Sequence, residues 1–169
     1  MDTSRHAQDR NALESLLRQV PGFRGYLEQE YRRESDYLAR QWLAEQLQLA
    51  KQGVDQAMRR LVDSVQLDTL PAFERLRGRL DGFMNQIRSA DRGYSGLFDY
   101  VRIGEAQLEQ AYTVDVSLTG DMQTLVAACR EMSSHSASPD QAVGGVQIQL
   151  DNLEAKFRQR SEILQGLGK

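Results

Sequence analysis

The spacing of the apolar residues constrains the fold of this chain more than any other feature of the sequence. In one stretch the apolar seam steps by four and three through Leu43, Leu47, Ala50, Val54, Ala57, Leu61 and Ser64. Residues three and four apart share one face of an α-helix, whereas the residues on one face of a strand are two apart. No apolar pattern in the chain has the period of a strand, so the sequence predicts an all-α protein.

Four breaks divide this pattern, at Pro21-Gly22, Leu67–Pro71, Ala90–Asp99 and Ser133–Ser138. Proline removes a backbone donor, and clusters of glycine, serine and aspartate favour turns. The breaks predict five helices, over Ala7–Val20, from Phe23 or Tyr26 to Gln66, Pro71–Arg92, Leu97–His135, and from Ser138 to about Leu164.

Local signals at the breaks refine these boundaries. Ser138-Pro139-Asp140-Gln141 is typical of a helix start, with a serine cap and proline in the first position. Asp68 or Thr69 is expected to cap the helix that begins at Pro71. Gly78 and Gly82 lie four residues apart, a spacing that could mark a close helix crossing.

Charge favours an antiparallel arrangement. The Pro71–Arg92 helix carries five arginines against three acidic residues, whereas Leu97–His135 carries two arginines against six. Opposite charges on consecutive helices suit antiparallel neighbours. We therefore expect one domain, residues 1–169, folded as an elongated, coiled-coil-like antiparallel bundle of four principal helices. Residues 1–22 form a short amphipathic helix and turn, and residues 23–169 form the bundle.

Composition excludes several classes of protein. A net charge of −3 without an uncompensated basic face gives no basis for nucleic-acid binding. The only cysteine, Cys129, excludes an internal disulfide and lies on an apolar seam, as a buried inert thiol would. We see neither a membrane span nor a secretory signal, and we expect a cytoplasmic protein.

Chemistry-bearing motifs are sparse. Neither His6 nor His135 follows a glutamate by three residues, as the di-iron bundles require. Gly93-Tyr94-Ser95-Gly96 has no preceding strand, and we interpret it as a turn between helices. We therefore predict no catalytic residue, no cofactor and no metal, and we do not expect an enzyme.

Four residues remain as candidates for a role. Asp115 is the one charge on its seam; it is interpreted as a partly exposed or arginine-paired carboxylate, or alternatively as a buried polar residue that sets helix register or oligomeric state. Tyr94 and Phe98 either plug the end of the bundle or contact a partner. Trp42 lies on a face of the long helix, with Leu38 and Leu49, for which the chain offers no obvious cover.

These observations predict a non-enzymatic helical scaffold or protein–protein interaction module. Its expected partners are a second copy, through a contact at or near Trp42, or another protein. The alternative is a peripheral membrane protein that uses the N-terminal amphipathic helix. That helix has four large apolar residues and no lysine, so membrane contact is not favoured.

Overall fold

The computed structural model describes residues 3–25, 29–90, 105–134 and 138–165, and within these ranges no strand occurs. A one-turn 3-10 helix, Leu67–Thr69, precedes the third of five α-helices. The α-helices are α1 (Thr3–Gln19), α2 (Gln29–Asp63), α3 (Leu70–Ser89), α4 (Glu105–Glu131) and α5 (Pro139–Leu164). They pack on one another through buried apolar faces, so the predicted all-α bundle is confirmed.

The helix ends near the prolines follow the local signals in the sequence, whereas the expected helix start at Phe23 was wrong, because residues 23–25 are not helical and α2 begins at Gln29. All three prolines lie at helix ends, and the backbone N–H of Gln141 donates to Ser138 Oγ at 3.4 Å, as a serine cap should. The Thr69 hydroxyl instead donates backwards to the carbonyl of Gln66 at 3.2 Å. The segment Ala90–Asp99 lies outside the described residues, apart from Ala90.

The chain forms two compact units. Unit 1 consists of residues 1–42, 89–120 and 155–169, and unit 2 of residues 43–88 and 121–154. Helices α2, α4 and α5 each contribute to both, and the expectation of a single domain stays a prediction. Among the described residues, each unit packs four helical segments, with α1 as the fourth in unit 1 and α3 as the fourth in unit 2.

Ion pairs show that α2 and α3 run antiparallel in unit 2. Lys51 pairs with Asp81 at 2.6 Å, and Asp55, one turn later, pairs with the earlier Arg77 at 2.8 Å. All four of these side chains are at least partly exposed, so each pair stabilises the unit by only about 0–1 kcal/mol. The stability of unit 2 therefore depends on its apolar core.

A close helix crossing exists in unit 2, at a glycine other than the two expected. A Cβ atom on Gly53 of α2 would lie 2.7 Å from the backbone carbonyl of Cys129 on α4. Gly78 and Gly82 have nothing within 4 Å of a Cβ position, so the expected crossing there was wrong. Their spacing put both on a solvent-facing side of α3.

In unit 1, α1 packs on α2, α4 and α5. Leu16 and Val20 are buried with residues of those three helices in one apolar cluster, which includes Ala39, Ala111 and Ile163. Leu17, the residue after Leu16, is 47% exposed, because it is rotated by about 100° from Leu16 on the helix. The apolar face of α1 is therefore used inside unit 1.

Two of the three residues on the α2 face that lacked an obvious cover pack within unit 1. Leu38 and Trp42 are partly buried and pack against the apolar cluster to which α1 contributes. That cluster thus provides part of the cover. A dimer contact at Trp42 stays a prediction, although Trp42 already packs against the apolar cluster of unit 1.

Candidate functional site

A network of buried charges lies in unit 1. Arg160 of α5 is 1% exposed and donates from Nε to Asp115 on α4 at 2.5 Å and from Nη1 to Asp36 on α2 at 2.7 Å. Arg40, one turn after Asp36, donates from Nε to the other oxygen of Asp36 at 2.8 Å. Two arginines and two aspartates from three helices therefore balance one another inside the unit.

This network distinguishes the two units. Within the described ranges, every buried polar or charged residue belongs to unit 1, and the buried side chains of unit 2 are all apolar. Removing charges from water costs several kcal/mol per ion, which close pairing offsets only when the geometry is good. The network is therefore poor evidence for high stability.

The structure combines parts of both interpretations of Asp115. The side chain is arginine-paired, as in the first, and it is buried at 3% exposure, as in the alternative. Its seam position and the arginine on the seam of α5 were both visible in the sequence. Asp36 was missed because it follows a charged run that resembles a solvated helix face. A register-setting role for Asp115 stays a prediction.

The turn that ends α2 in unit 2 has an unusual backbone. The N–H of Gln66 donates to the carbonyl of Leu61 at 2.8 Å, and the N–H of Val65 donates to that of Val62 at 3.0 Å. This is the Schellman pattern, in which the residue at the position of Val65 is left-handed and is usually glycine. Val65 adopts this conformation at φ 60°, which costs a residue with a side chain about 1–2 kcal/mol.

The same turn exposes three apolar side chains. Val62 and Leu67 are each 52% exposed and Val65 is 77% exposed. We call these three residues the α2–α3 patch. Single exposed apolar residues are normal on a protein surface, but three within six residues form a group that favours a contact.

A pocket of about 560 Å³ opens beside the α2–α3 patch in unit 2. Residues that alternate with the patch along the chain, among them Leu61 and Ser64, line it. The rest of its apolar lining comes from Ala57, Phe73, Met132 and Pro139. The guanidinium group of Arg60 donates to the carbonyl of Ser133 across one wall. The pocket is thus a recess with a mixed polar and apolar lining, and its arginine is already hydrogen-bonded within the protein.

Metal ligands and the cysteine are the groups to consider first among the described residues. No group of three metal-ligating side chains lies together in the ranges that the structure covers. Cys129 is fully buried, and burial raises the pKa of its thiol to about 12, so it stays protonated and is a poor nucleophile at neutral pH. Tyr94 and Phe98 lie outside the described residues.

None of the described helices is both long enough and apolar enough to span a bilayer.

Of the predicted site residues, Asp115 and Trp42 both lie in unit 1, Asp115 in the charge network and Trp42 against the apolar cluster. The α2–α3 patch was missed because exposure at a turn depends on tertiary packing, which the spacing of apolar residues does not report.

Comparison with known proteins gives no family for this chain. No family model, no curated protein and no solved structure matches it.

Proposed function

We propose that this chain is a non-enzymatic, cytoplasmic helical scaffold that binds proteins, including copies of itself, through helix and turn surfaces. The observation that carries the proposal is the α2–α3 patch, in which exposed apolar side chains adjoin a pocket with a mixed polar and apolar lining. Apolar surface of this kind is stabilised when a partner removes it from water, by about 25 cal/mol for each Å² buried. The scaffold acts by holding partners at such surfaces.

The charge balance around the patch supports a protein partner. Arg59 and Arg60 are followed by Asp63 and Asp68, so this segment of α2 and the turn has no net charge. Nucleic acids and anionic lipid surfaces require uncompensated basic charge. Protein interfaces instead combine an apolar centre with a rim of both signs.

The peripheral membrane alternative uses the N-terminal helix. Leu16 and Val20 are buried in the apolar cluster of unit 1, so this alternative requires α1 to leave that cluster before it reaches a bilayer. Undocking exposes the cluster to water, which opposes membrane binding unless a bilayer compensates for it. This alternative stays a prediction, and we favour the scaffold over it.

Site-specific photo-crosslinking in the native cells tests the scaffold proposal. A photoreactive amino acid replaces Leu67 in the α2–α3 patch, and a matched variant carries it at Ile148, another apolar side chain of unit 2 that is 64% exposed. We expect discrete adducts from position 67 and none at position 148. Equal adducts at both positions, or none at either, would contradict the proposal.

A further inference from the structure

The backbone of Val65 reduces the stability of the isolated chain. At φ 60° it is in the left-handed region, which is strained for a β-branched residue, and its apolar side chain, 77% exposed, gains little burial in return. Glycine or asparagine would avoid the strain at this position. A residue that is unfavourable in the isolated fold points to a contact made outside it.

The neighbours of Val65 extend this surface. Val62 and Leu67 lie on either side of it in the chain, and their sequence neighbours Leu61, Ser64 and Gln66 line the 560 Å³ pocket. The patch therefore adjoins the pocket along the chain without lining it. A partner that enters the pocket beside these residues can also contact the patch.

The charges on this surface match a copy of themselves. Four charged residues of this segment are exposed. The two basic residues come first and the two acidic residues follow: Arg59, Arg60, Asp63 and Asp68. In a two-fold contact, the basic end of one copy meets the acidic end of the other, and symmetry makes each of these attractions occur twice. A strongly acidic or basic partner would find half of these charges repulsive.

We propose that a second copy of this chain docks on the α2–α3 patch and its pocket, forming a two-fold dimer; this inference rests on the proposed function, of which it names the partner. The dimer buries Val65, Val62 and Leu67 against the pocket of the other copy. Because three partly exposed side chains make a small contact, the dimer forms reversibly in the micromolar range rather than permanently.

Light scattering of the purified full chain between about 1 µM and about 1 mM tests the dimer. The wild-type mass should rise from 19.2 kDa towards twice that value. Val65→Asn should keep the mass near 19.2 kDa while its melting temperature equals or exceeds that of the wild type. Stability and association thus move in opposite directions, which a purely structural role for Val65 would not produce.

Two further variants separate the contact from the fold. Val62→Asp changes an exposed position of α2 and should weaken association by about tenfold or more without unfolding the chain. Ile148→Asn replaces an exposed apolar side chain outside the patch and should dimerise as the wild type does.

The remaining outcomes overturn the inference in distinguishable ways. If Val65→Asn and Val62→Asp dimerise like the wild type, the two copies meet elsewhere and only the assignment of the surface fails. If the wild type stays at 19.2 kDa throughout, the dimer itself is refuted. In that case, crosslinks from position 67 to a different protein would leave the scaffold function standing.

Discussion

Replacing Arg160 by methionine should destabilise unit 1 strongly. Methionine fills similar space but leaves Asp36 and Asp115 buried with Arg40 as the one arginine of the network that remains. Removing one partner of a buried pair costs about 3–5 kcal/mol, because the remaining charge has no water around it. At about 2–4 °C per kcal/mol for a chain of this size, the melting temperature should fall by roughly 6–20 °C.

Arg79 of unit 2 provides a matched control. It also forms two ion pairs, with Asp151 at 2.7 Å and Glu154 at 3.1 Å, but its side chain is 33% exposed against 1% for Arg160. Arg79→Met should cost less than about 1 kcal/mol, because water solvates the remaining carboxylates. Urea unfolding followed by circular dichroism measures both variants. Equal losses for Arg79→Met and Arg160→Met would refute the reasoning from burial.

A double variant tests what the network contributes besides stability. Asp115→Leu with Arg160→Met removes one charge of each sign and keeps the Asp36–Arg40 pair. Replacing a buried pair by apolar residues is often neutral or stabilising, so most of the lost stability should return. If Asp115 sets register, the double variant should keep its helix content but show poorer dispersion of amide resonances. Wild-type dispersion would contradict that role.

Three further predictions concern packing and protonation. In thermal unfolding, Leu16→Asp should destabilise the fold by a few kcal/mol, because Leu16 is buried. Leu17→Asp should destabilise it by less than about 0.5 kcal/mol, because Leu17 is 47% exposed. If Leu16→Asp instead abolished vesicle binding at an unchanged melting temperature, the membrane alternative would hold. Gly53→Ala should cost about 1–3 kcal/mol in urea unfolding, because its Cβ would lie 2.7 Å from the backbone of α4. Gly82→Ala, on an exposed face of α3, should instead raise the free energy of unfolding by up to about 1 kcal/mol. Burial raises the pKa of Cys129 from 9.0 to about 12. Above pH 9 the unfolded chain therefore loses a thiol proton that the folded chain retains. The free energy of unfolding should fall by about 1.4 kcal/mol per pH unit relative to Cys129→Ala. Identical alkaline slopes for Cys129→Ala and the wild type would show that the thiol is not buried.

The helical class of this protein and the positions of its breaks follow from local chain geometry. An apolar spacing of three and four buries one face of a helix, whatever the rest of the chain does. Proline at positions 21, 71 and 139 constrains its own backbone and that of its neighbour, so helix ends near these residues are independent of tertiary packing. The local cap at Ser138 was predictable for the same reason.

What the sequence could not determine is which helices face one another and at what rotation. Asp36 and Arg160 are 124 positions apart, and nothing local indicates that they meet. Whether a glycine allows a close crossing, as at Gly53 but not at Gly78, depends on the element opposite it. The left-handed backbone of Val65 arises because two carbonyls near the end of α2 accept the N–H groups of the turn, against the preference of a β-branched side chain. Long-range packing therefore decided both the charge network and the α2–α3 patch, because each depends on contacts or exposure that a local pattern does not contain.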